Sequence, residues 1–160
     1  MRKRQPCYYA SMITCKFEDG SDALLRHVCV DTLVFNEEGQ ILLVQRTKKL
    51  LEGGKWGLIG GFVDRDETTA EAVARETLEE TGWKVKDITF MRFKDSPNRP
   101  HEDRQIIAFV YRCVVTEKVG EGDWESDDMQ WFSLDNLPPL DQIAFDHATD
   151  IEFYKKTVLQ

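Results

Sequence analysis

Alternating blocks of apolar and turn-forming residues predict a series of strands along most of the chain. VCVDTLVF at residues 28–35 and ILLVQR at 41–46 are mostly apolar and predict strands, and the NEEG segment between them favours a hairpin. Three later stretches also have strand patterns: KVKDITFMRFKD (84–95), QIIAFVYRCVV (105–115) and MQWFSL (129–134). Because hairpins and helical segments alternate, we expect a mixed sheet with helices packed on it.

The two ends and the long loop after the second strand are less regular. YYASMITCKF (8–17) predicts an edge strand before an EDGSD turn, and TKKLLEGGKWGLIGGF (47–62) predicts a loop closing on a short strand. We expect Trp56 in that loop to pack in the core, with base stacking as the alternative. A helix is expected at about residues 141–157, after the DNLPPL turn.

Residues 68–81 have the pattern of an amphipathic helix. The segment lacks Gly and Pro and is rich in Ala and Glu. Asp66, Thr68 and Thr69 offer oxygens for the N-cap, and Gly82 fits the C′ position. At 3.6 residues per turn, one face is expected to point to the core: Ala70, Val73, Ala74, Thr77 and Leu78.

Composition narrows the class of protein. At 160 residues the chain suits one domain, and 41% hydrophobic with 31% charged residues is typical of a soluble globular protein. A net charge of −8 argues against a nucleic-acid groove binder, though not against a nucleotide substrate, because bound Mg²⁺ can reverse the local field. The basic N-terminus lacks the apolar region of a secretory signal, and no run is long enough to span a membrane, so we expect a cytoplasmic protein. The cysteines lack ligand spacing and are expected to be reduced thiols: Cys7, Cys15, Cys29 and Cys113.

Glu76, Glu79 and Glu80 fall within an arc of roughly 100° on another face of the helix. Converging carboxylates without a cation repel and raise one another's pKa values. Mg²⁺ or Mn²⁺, which prefers carboxylate and carbonyl oxygens, would remove that conflict. The alternative is an ordinary solvated acidic face. The preceding pair Gly60-Gly61 favours a ligand site, because glycine lets the backbone approach a ligand closely.

Residues 61–83, GFVDRDETTAEAVARETLEETGW, resemble the Nudix box, G-x5-E-x7-R-E-U-x-E-E-x-G-U, in which U is bulky and apolar. The matching positions are Gly61, Glu67, Arg75, Glu76, Glu79, Glu80 and Gly82. Thr77 replaces an aliphatic residue, so we expect its hydroxyl to bond back along the helix. Trp83 is larger than usual, and Ile59 stands where the family usually has Pro. The resemblance, looser over about residues 26–150, implies a single α/β domain over residues 1–160, an α/β/α sandwich with a mixed sheet and a loop–helix–loop catalytic motif.

The resemblance also implies roles for the box residues. Glu76 and Glu80 would ligate the metal ion, with Glu79 as a third ligand or water-holder. A backbone carbonyl of the glycine pair, taken as that of Gly60, would join them. Arg75 would orient the box carboxylates through a buried ion pair with Glu67 or Glu79, while Glu67 and Gly82 are structural and Gly61 approaches the substrate.

Three arginines outside the box are candidate substrate contacts. Arg46 ends the strand that meets the substrate in Nudix folds, with a surface arginine as the alternative. Arg99 and Arg104 belong to a polar loop that lies near the substrate in similar enzymes, where guanidinium groups suit phosphate or a terminal ribose. The alternative is a mobile, solvated loop, and His101 in the same loop is expected to be exposed.

The position of the general base varies within the family. Glu125 is the loop candidate, because the adjacent Trp124 would partly desolvate it and raise its pKa. The alternative is that all the acids of this loop are solvated, which would leave Glu79 of the box as the next candidate.

Together these residues predict metal-dependent hydrolysis of a phosphoric anhydride in a nucleoside diphosphate linked to another moiety. ADP-ribose, cleaved to AMP and ribose 5-phosphate, is favoured because WFSLDNLPPL and AFDH are similar to C-terminal segments of ADP-ribose pyrophosphatases. The alternatives are a housecleaning NTP pyrophosphatase and a non-catalytic nucleotide sensor, which usually has a degraded box. The expected partner is a small-molecule nucleotide, and a homodimer stays open.

Overall fold

The computed structural model describes residues 12–99 and 104–159; Cys7, the basic N-terminus, the first part of the predicted edge strand and His101 lie outside this range. The strands are β1 (Ile13–Lys16), β2 (Asp22–Leu25), β3 (Val28–Phe35), β4 (Ile41–Arg46), β5 (Trp56–Gly57), β6 (Trp83–Lys94), β7 (Ile107–Lys118) and β8 (Ser126–Phe132). The helices are α1 (Thr69–Thr81) and α2 (His147–Thr157). None of the helices in these described ranges is long and apolar enough to cross a membrane.

A mixed sheet forms the centre of the fold, as predicted. Its strand order is β5-β4-β3-β7-β6, and β8 pairs with β4. β3 and β7 run parallel, from the pair Val28 and Ile107 to the pair Phe35 and Val114, whereas the other strand pairs are antiparallel. β1 and β2 form a separate two-stranded sheet. β2 was not predicted, because its four residues, DALL, do not alternate between polar and apolar.

The two helices cover opposite faces of the sheet, because neighbouring residues of a strand point to opposite sides. One face of β3 and β4 joins Ala72 and Val73 of α1 in a core cluster with Val30, Val34, Leu42 and Val44. The other face joins Ile151 and Tyr154 of α2 in a cluster with Leu33, Phe35, Ile41 and Leu43. The α/β/α sandwich is therefore confirmed.

α1 begins and ends where its sequence predicts. Thr68 and Glu71 form a capping box at the N-terminus, and Gly82, with a φ of 72°, donates its N–H to the Leu78 carbonyl at the C-terminus. The Thr77 hydroxyl donates to the Val73 carbonyl at 2.7 Å, as expected for a polar residue on the buried side.

The predicted core face of α1 was partly wrong. Leu78 is 39% exposed, whereas Ala72, Glu80 and Thr81 are buried. The buried face is turned toward Glu80, because a backbone N–H of the loop before the helix binds the Glu80 carboxylate and holds it inward. Helical periodicity alone cannot show this contact.

α2 starts at His147 rather than near residue 141. Leu140–Gln142 form only a 3₁₀ turn, and Phe145 has a φ of 52°, which a right-handed helix cannot contain. The strained residue separates the turn from α2 and directs its ring toward the cavity described below.

Candidate functional site

Glu80 is the most deeply buried acid of the box. It is 7% exposed, and its Oε1 accepts the N–H of Gly60 at 3.0 Å. Burial raises the pKa of Glu80 well above its usual range; Gly60 opposes this shift, while the charges of Glu76 and Glu125 add to it. The position of Glu80 thus depends on α1 packing and on the glycine pair together.

Glu76 lies one helical turn before Glu80 and faces Gly61. Burial also raises the pKa of Glu76, against the opposing effect of Arg75. A Cβ added at Gly61 would lie 2.5 Å from the Glu76 Cδ, closer than real Cβ atoms approach other atoms. Gly61 is therefore required by the close approach of this carboxylate to the backbone.

Arg75 joins the box acids to the loop before α1. Its guanidinium donates to Glu67 at 2.7 Å, to Glu76 at 2.8 Å and to Glu79 at 3.1 Å, and also to the Phe62 carbonyl. Both expected partners, Glu67 and Glu79, are thus paired with Arg75. The arginine is not fully buried, since 27% of its side chain is exposed, and the Glu79 side chain is 54% exposed.

A cavity of about 390 Å³ opens beside the glycine pair. Its walls include all four candidate side chains outside the box: Arg46, Arg99, Arg104 and Glu125. Glu76, Gly60 and Gly61 line it as well. The fold therefore brings together residues from β4, from the loop before β7, from α1 and from the loop before β8.

Glu125 faces the box acids across this cavity. Partial burial and the charge of Asp123 raise the pKa of Glu125, and Arg46 opposes the shift. Its charge in turn contributes to the raised pKa values of Glu76 and Glu80. Trp124 is 65% exposed, but the raised pKa predicted for Glu125 is present.

All three cavity arginines lie against aromatic rings, and the Arg99 guanidinium carbon is 5.3 Å from the centre of the Phe145 ring. The Arg46 guanidinium carbon is 5.1 Å from the centre of the Phe145 ring, and its Nε donates to the Leu51 carbonyl. The Arg104 guanidinium carbon is 5.1 Å from the centre of the Phe62 ring. Trp56 makes an edge contact with Phe132 and packs against the core, in agreement with its predicted role.

Arg99 is buried, so the solvated-loop alternative is wrong for this residue. It is 8% exposed, and its guanidinium donates to Asp31 at 3.0 Å and to Asp146 at 2.8 Å. These two carboxylates compensate its charge and fix its position in the cavity wall.

The buried ion network behind Arg99 was not predicted. Burial alone would raise the pKa of Asp31, but Arg99 and Lys94 hold it well below its usual range. The same two cations lower the pKa of Asp146, again against the effect of burial.

Asp31, Asp146 and His147 have the spacing of metal ligands. Since Lys94 and Arg99 already neutralise both carboxylates, we describe this group as an ion network and not as a metal centre. The one sequence signal was a charged Asp31 inside an otherwise apolar strand.

The box acids are better suited to bind a divalent cation than the group formed by Asp31, Asp146 and His147. Glu76 and Glu80 are desolvated and have raised pKa values, so each would be relieved by a nearby positive charge. Their carboxylate oxygens are the donors that Mg²⁺ and Mn²⁺ prefer. The Gly61 carbonyl accepts the Val30 N–H at 2.9 Å, which favours Gly60 as the source of a backbone ligand.

Comparisons with known proteins agree with this geometry. A family model described as the NUDIX domain matches residues 25–155. The ADP-ribose pyrophosphatase of Methanocaldococcus jannaschii is 34% identical over 129 residues, which cover 81% of this chain and 73% of that protein. The NAD-capped RNA hydrolase NudC of Pseudomonas aeruginosa is 33% identical over 108 residues, or 68% of this chain and 37% of NudC.

A solved structure with similar architecture contains both a nucleotide and a metal ion. It is a bifunctional NMN adenylyltransferase/ADP ribose pyrophosphatase from Francisella tularensis, complexed with AMP and a Mn ion. The TM-score is 0.64 at 28% sequence identity, and the match covers 82% of this chain and 41% of that one.

Proposed function

The chain belongs to the Nudix family and is a pyrophosphohydrolase, and from this premise we propose that it hydrolyses ADP-ribose to AMP and ribose 5-phosphate with Mg²⁺ or Mn²⁺. The observation that carries the proposal is the cavity in which desolvated Glu76 faces three arginines, with the buried Glu80 one helical turn away on α1 and bound to Gly60 of the cavity wall. Hydrolysis of a pyrophosphate requires positive charge near the phosphates and an activated water molecule, and this cavity offers groups for each. The name of the M. jannaschii relative supports ADP-ribose as the substrate.

Glu76, Glu80 and the Gly60 carbonyl are the proposed metal ligands, with Glu79 as a third carboxylate ligand or water-holder. A bound divalent ion would neutralise charge on the diphosphate and lower the pKa of a bound water. Arg75 holds Glu76 and Glu79 in place through the hydrogen bonds described above. Glu67 and Gly82 maintain the loop and the end of α1.

The arginines are the proposed substrate contacts. Arg46 and Arg104 present guanidinium groups to the cavity, where they can bind the diphosphate or the terminal ribose phosphate. Arg99 lines the same cavity while Asp31 and Asp146 hold its guanidinium and compensate its charge, so its proposed role is that of a fixed hydrogen-bond donor to the substrate. Gly61 lets the substrate approach the backbone.

We propose Glu125 as the general base. It lies outside the proposed metal ligands, and its raised pKa makes it a better proton acceptor than a metal-bound carboxylate.

We expect Glu125→Gln to lower kcat, to leave Mn²⁺ affinity unchanged and to remove the acidic limb of the pH–rate profile. The matched control is Glu121→Gln, whose side chain in the same loop is 91% exposed. A wild-type kcat in Glu125→Gln would return the role to Glu79.

A substrate panel tests the proposed reaction. ADP-ribose, NAD and the four NTPs are each incubated with the protein and Mg²⁺ or Mn²⁺, and AMP and pyrophosphate are quantified by chromatography. We expect the highest kcat/KM for ADP-ribose, with AMP as the product. A kcat/KM for any NTP well above that for ADP-ribose would favour an NTP pyrophosphatase instead. Saturable binding of ADP-ribose without turnover of any compound would favour a nucleotide sensor.

A dinucleotide is the second candidate substrate, and the NudC relatives favour it. NAD contains the same adenosine diphosphate as ADP-ribose, so the same carboxylates and arginines could act on it. Because the matched region covers only 37% of the P. aeruginosa NudC, ADP-ribose remains the first choice. A kcat/KM for NAD above that for ADP-ribose would reverse the order.

A further inference from the structure

The segment that carries Gly60 is held on both of its edges. We call residues 56–61 the glycine segment. The carbonyls of Ile59 and Gly61 accept N–H groups of β3 at 2.8 and 2.9 Å. On the opposite edge, the Trp56 carbonyl accepts the N–H of Ala144 at 2.7 Å, just before α2. The segment therefore links the central sheet to the start of the C-terminal helix.

A buried histidine makes the second contact on the α2 edge. The Leu58 N–H donates to His147 Nδ1 at 3.0 Å, and His147, the first residue of α2, is only 4% exposed. Because Nδ1 accepts this hydrogen bond, the ring proton of the neutral side chain is on Nε2. Nε2 lies 3.6 Å from Asp31 Oδ1, so the carboxylate favours this tautomer and orients the ring.

We infer that His147 is a positioning residue of the hydrolytic site, which fixes Gly60 against Glu80 by holding Leu58. Leu58 is two residues before Gly60, and Gly60 donates its N–H to Glu80. If His147 lost its acceptor, the buried Leu58 N–H would have no partner and the segment would shift to find one. Gly60 would move with it, although His147 itself touches none of the box acids among the contacts described. This inference rests on the proposed metal role of Glu80 and Gly60.

Two substitutions separate the acceptor from the rest of the imidazole. In His147→Asn, Oδ1 occupies nearly the place of Nδ1 and can accept from Leu58. In His147→Gln, the amide reaches the place of Nε2, near Asp31, and no acceptor remains at the Nδ1 position. Ile151→Val is the packing control, because it trims a buried α2 residue of the core cluster that also contains Leu58 and leaves the His147 acceptor in place.

The first measurement is Mn²⁺ affinity without substrate, by titration calorimetry or electron paramagnetic resonance. Partners that orient metal ligands are typically worth about 10–100-fold in metal affinity or activity. We therefore expect His147→Gln to weaken Mn²⁺ binding by roughly tenfold or more and to lower kcat with little change in KM. We expect His147→Asn and Ile151→Val to remain within about threefold of wild type, so that rescue by Asn identifies the acceptor.

The inference is overturned if His147→Gln binds Mn²⁺ and turns over substrate as the wild-type protein does. It is also overturned if Asn and Gln lose affinity equally, because the effect would then follow packing and not the acceptor. If His147→Gln does not fold, hydrogen exchange on the wild-type protein decides the question. Addition of Mn²⁺ should slow exchange both in residues 56–61 and at the start of α2, and slowing in residues 56–61 alone would overturn the coupling.

The test of the role of His147 can be distinguished from the test of the proposed hydrolysis. Mn²⁺ binding and hydrogen exchange require no substrate. A wild-type protein that binds Mn²⁺ through Glu80 but leaves ADP-ribose and the other nucleotides intact would refute the proposed reaction while leaving the role of His147 supported.

Discussion

The glycine pair allows a test in which adjacent, chemically identical substitutions have different effects. In Gly61→Ala, the new Cβ would lie 2.5 Å from Glu76 Cδ and 2.8 Å from its Oε2. An ordinary contact is about 3.4 Å or more, so the carboxyl group must move by roughly 1 Å. Because the neighbour is the end of a flexible side chain, the fold can accommodate this movement but the proposed metal ligand is displaced.

A misplacement of about 1 Å in an active site can reduce the rate by about 100-fold. We therefore expect kcat of Gly61→Ala to fall by roughly 10- to 100-fold. The melting temperature should change by only a few degrees, since Ala also lowers the entropy of the unfolded chain and stabilises by about 0.4–1 kcal/mol where the backbone permits it. The assays are steady-state hydrolysis of ADP-ribose, Mn²⁺ titration and thermal unfolding of the same preparations.

Two further alanine variants serve as comparisons. In Gly60→Ala the Cβ would collide with the backbone carbonyl of Val30 and lie 3.1 Å from Asp31 Cα, so β3 itself must move. Overpacking of this kind costs about 1–3 kcal/mol, and each kcal/mol lowers the melting temperature by about 2–4 °C at this size. In Gly120→Ala the Cβ would meet no heavy atom of the described residues within 4 Å, so neither stability nor activity should fall.

Wild-type kcat and Mn²⁺ affinity in Gly61→Ala would refute the placement of Glu76 in the site. A loss of activity in Gly61→Ala that is matched by an equal loss of thermal stability would show that the glycine is needed for folding and not for the carboxylate.

Three further predictions concern the metal ion, its ligands and the ion network. EDTA should abolish hydrolysis, and Mg²⁺ or Mn²⁺ should restore it; full turnover in chelator would contradict the proposal. Metal at 100 times its Kd should also stabilise the fold by about 2.7 kcal/mol, measured as a higher melting temperature. Glu80→Gln should lower kcat by orders of magnitude with the fold intact. The control, Glu71→Gln, keeps an acceptor for the capping box and should leave kcat unchanged. Equal losses of kcat in the two variants would mean that Glu76, Glu79 and Glu80 form an ordinary acidic surface. The folded-state pKa values of Asp31 and Asp146 are depressed, so their contribution to stability is present above the unfolded pKa of about 3.9 and is lost as pH falls through the folded values. The stability that these two carboxylates add should accordingly be constant between pH 7 and 5 and be lost below about pH 4. Asp31→Asn should melt lower than the wild-type protein at pH 7 by the equivalent of about 3–5 kcal/mol, because Arg99 loses a buried partner, and this difference should shrink below about pH 4; a wild-type stability in Asp31→Asn at pH 7 would contradict this account.

Local chemistry determined the elements that the sequence predicted well. The ends of α1 depend on Thr68, Glu71 and Gly82, which all lie within a turn of the residues they cap. The strands β3 and β4 depend on mostly apolar runs, which suit strands that are buried on both faces of the sheet. The mixed sheet follows from the order of hairpins and helices along the chain.

Helical spacing also placed the three box acids on one side of α1, but it could not rank them. Glu80 is 7% exposed, whereas the Glu79 side chain is 54% exposed and paired with Arg75. The difference arises because Gly60, twenty residues earlier, binds Glu80, and that contact exists only after β5, β3 and α1 have packed together.

The sequence by itself therefore determined the box, its helix and the type of chemistry, because a helix repeats every 3.6 residues whatever surrounds it. Only the tertiary structure decided which charges are buried together. Arg99 binds Asp31 across 68 residues of chain and Asp146 across 47, and the Leu58 N–H binds His147 across 89. No local pattern marks such partners, because the desolvation that makes each charge depend on the others arises only when β3, the loop before β7 and α2 come together.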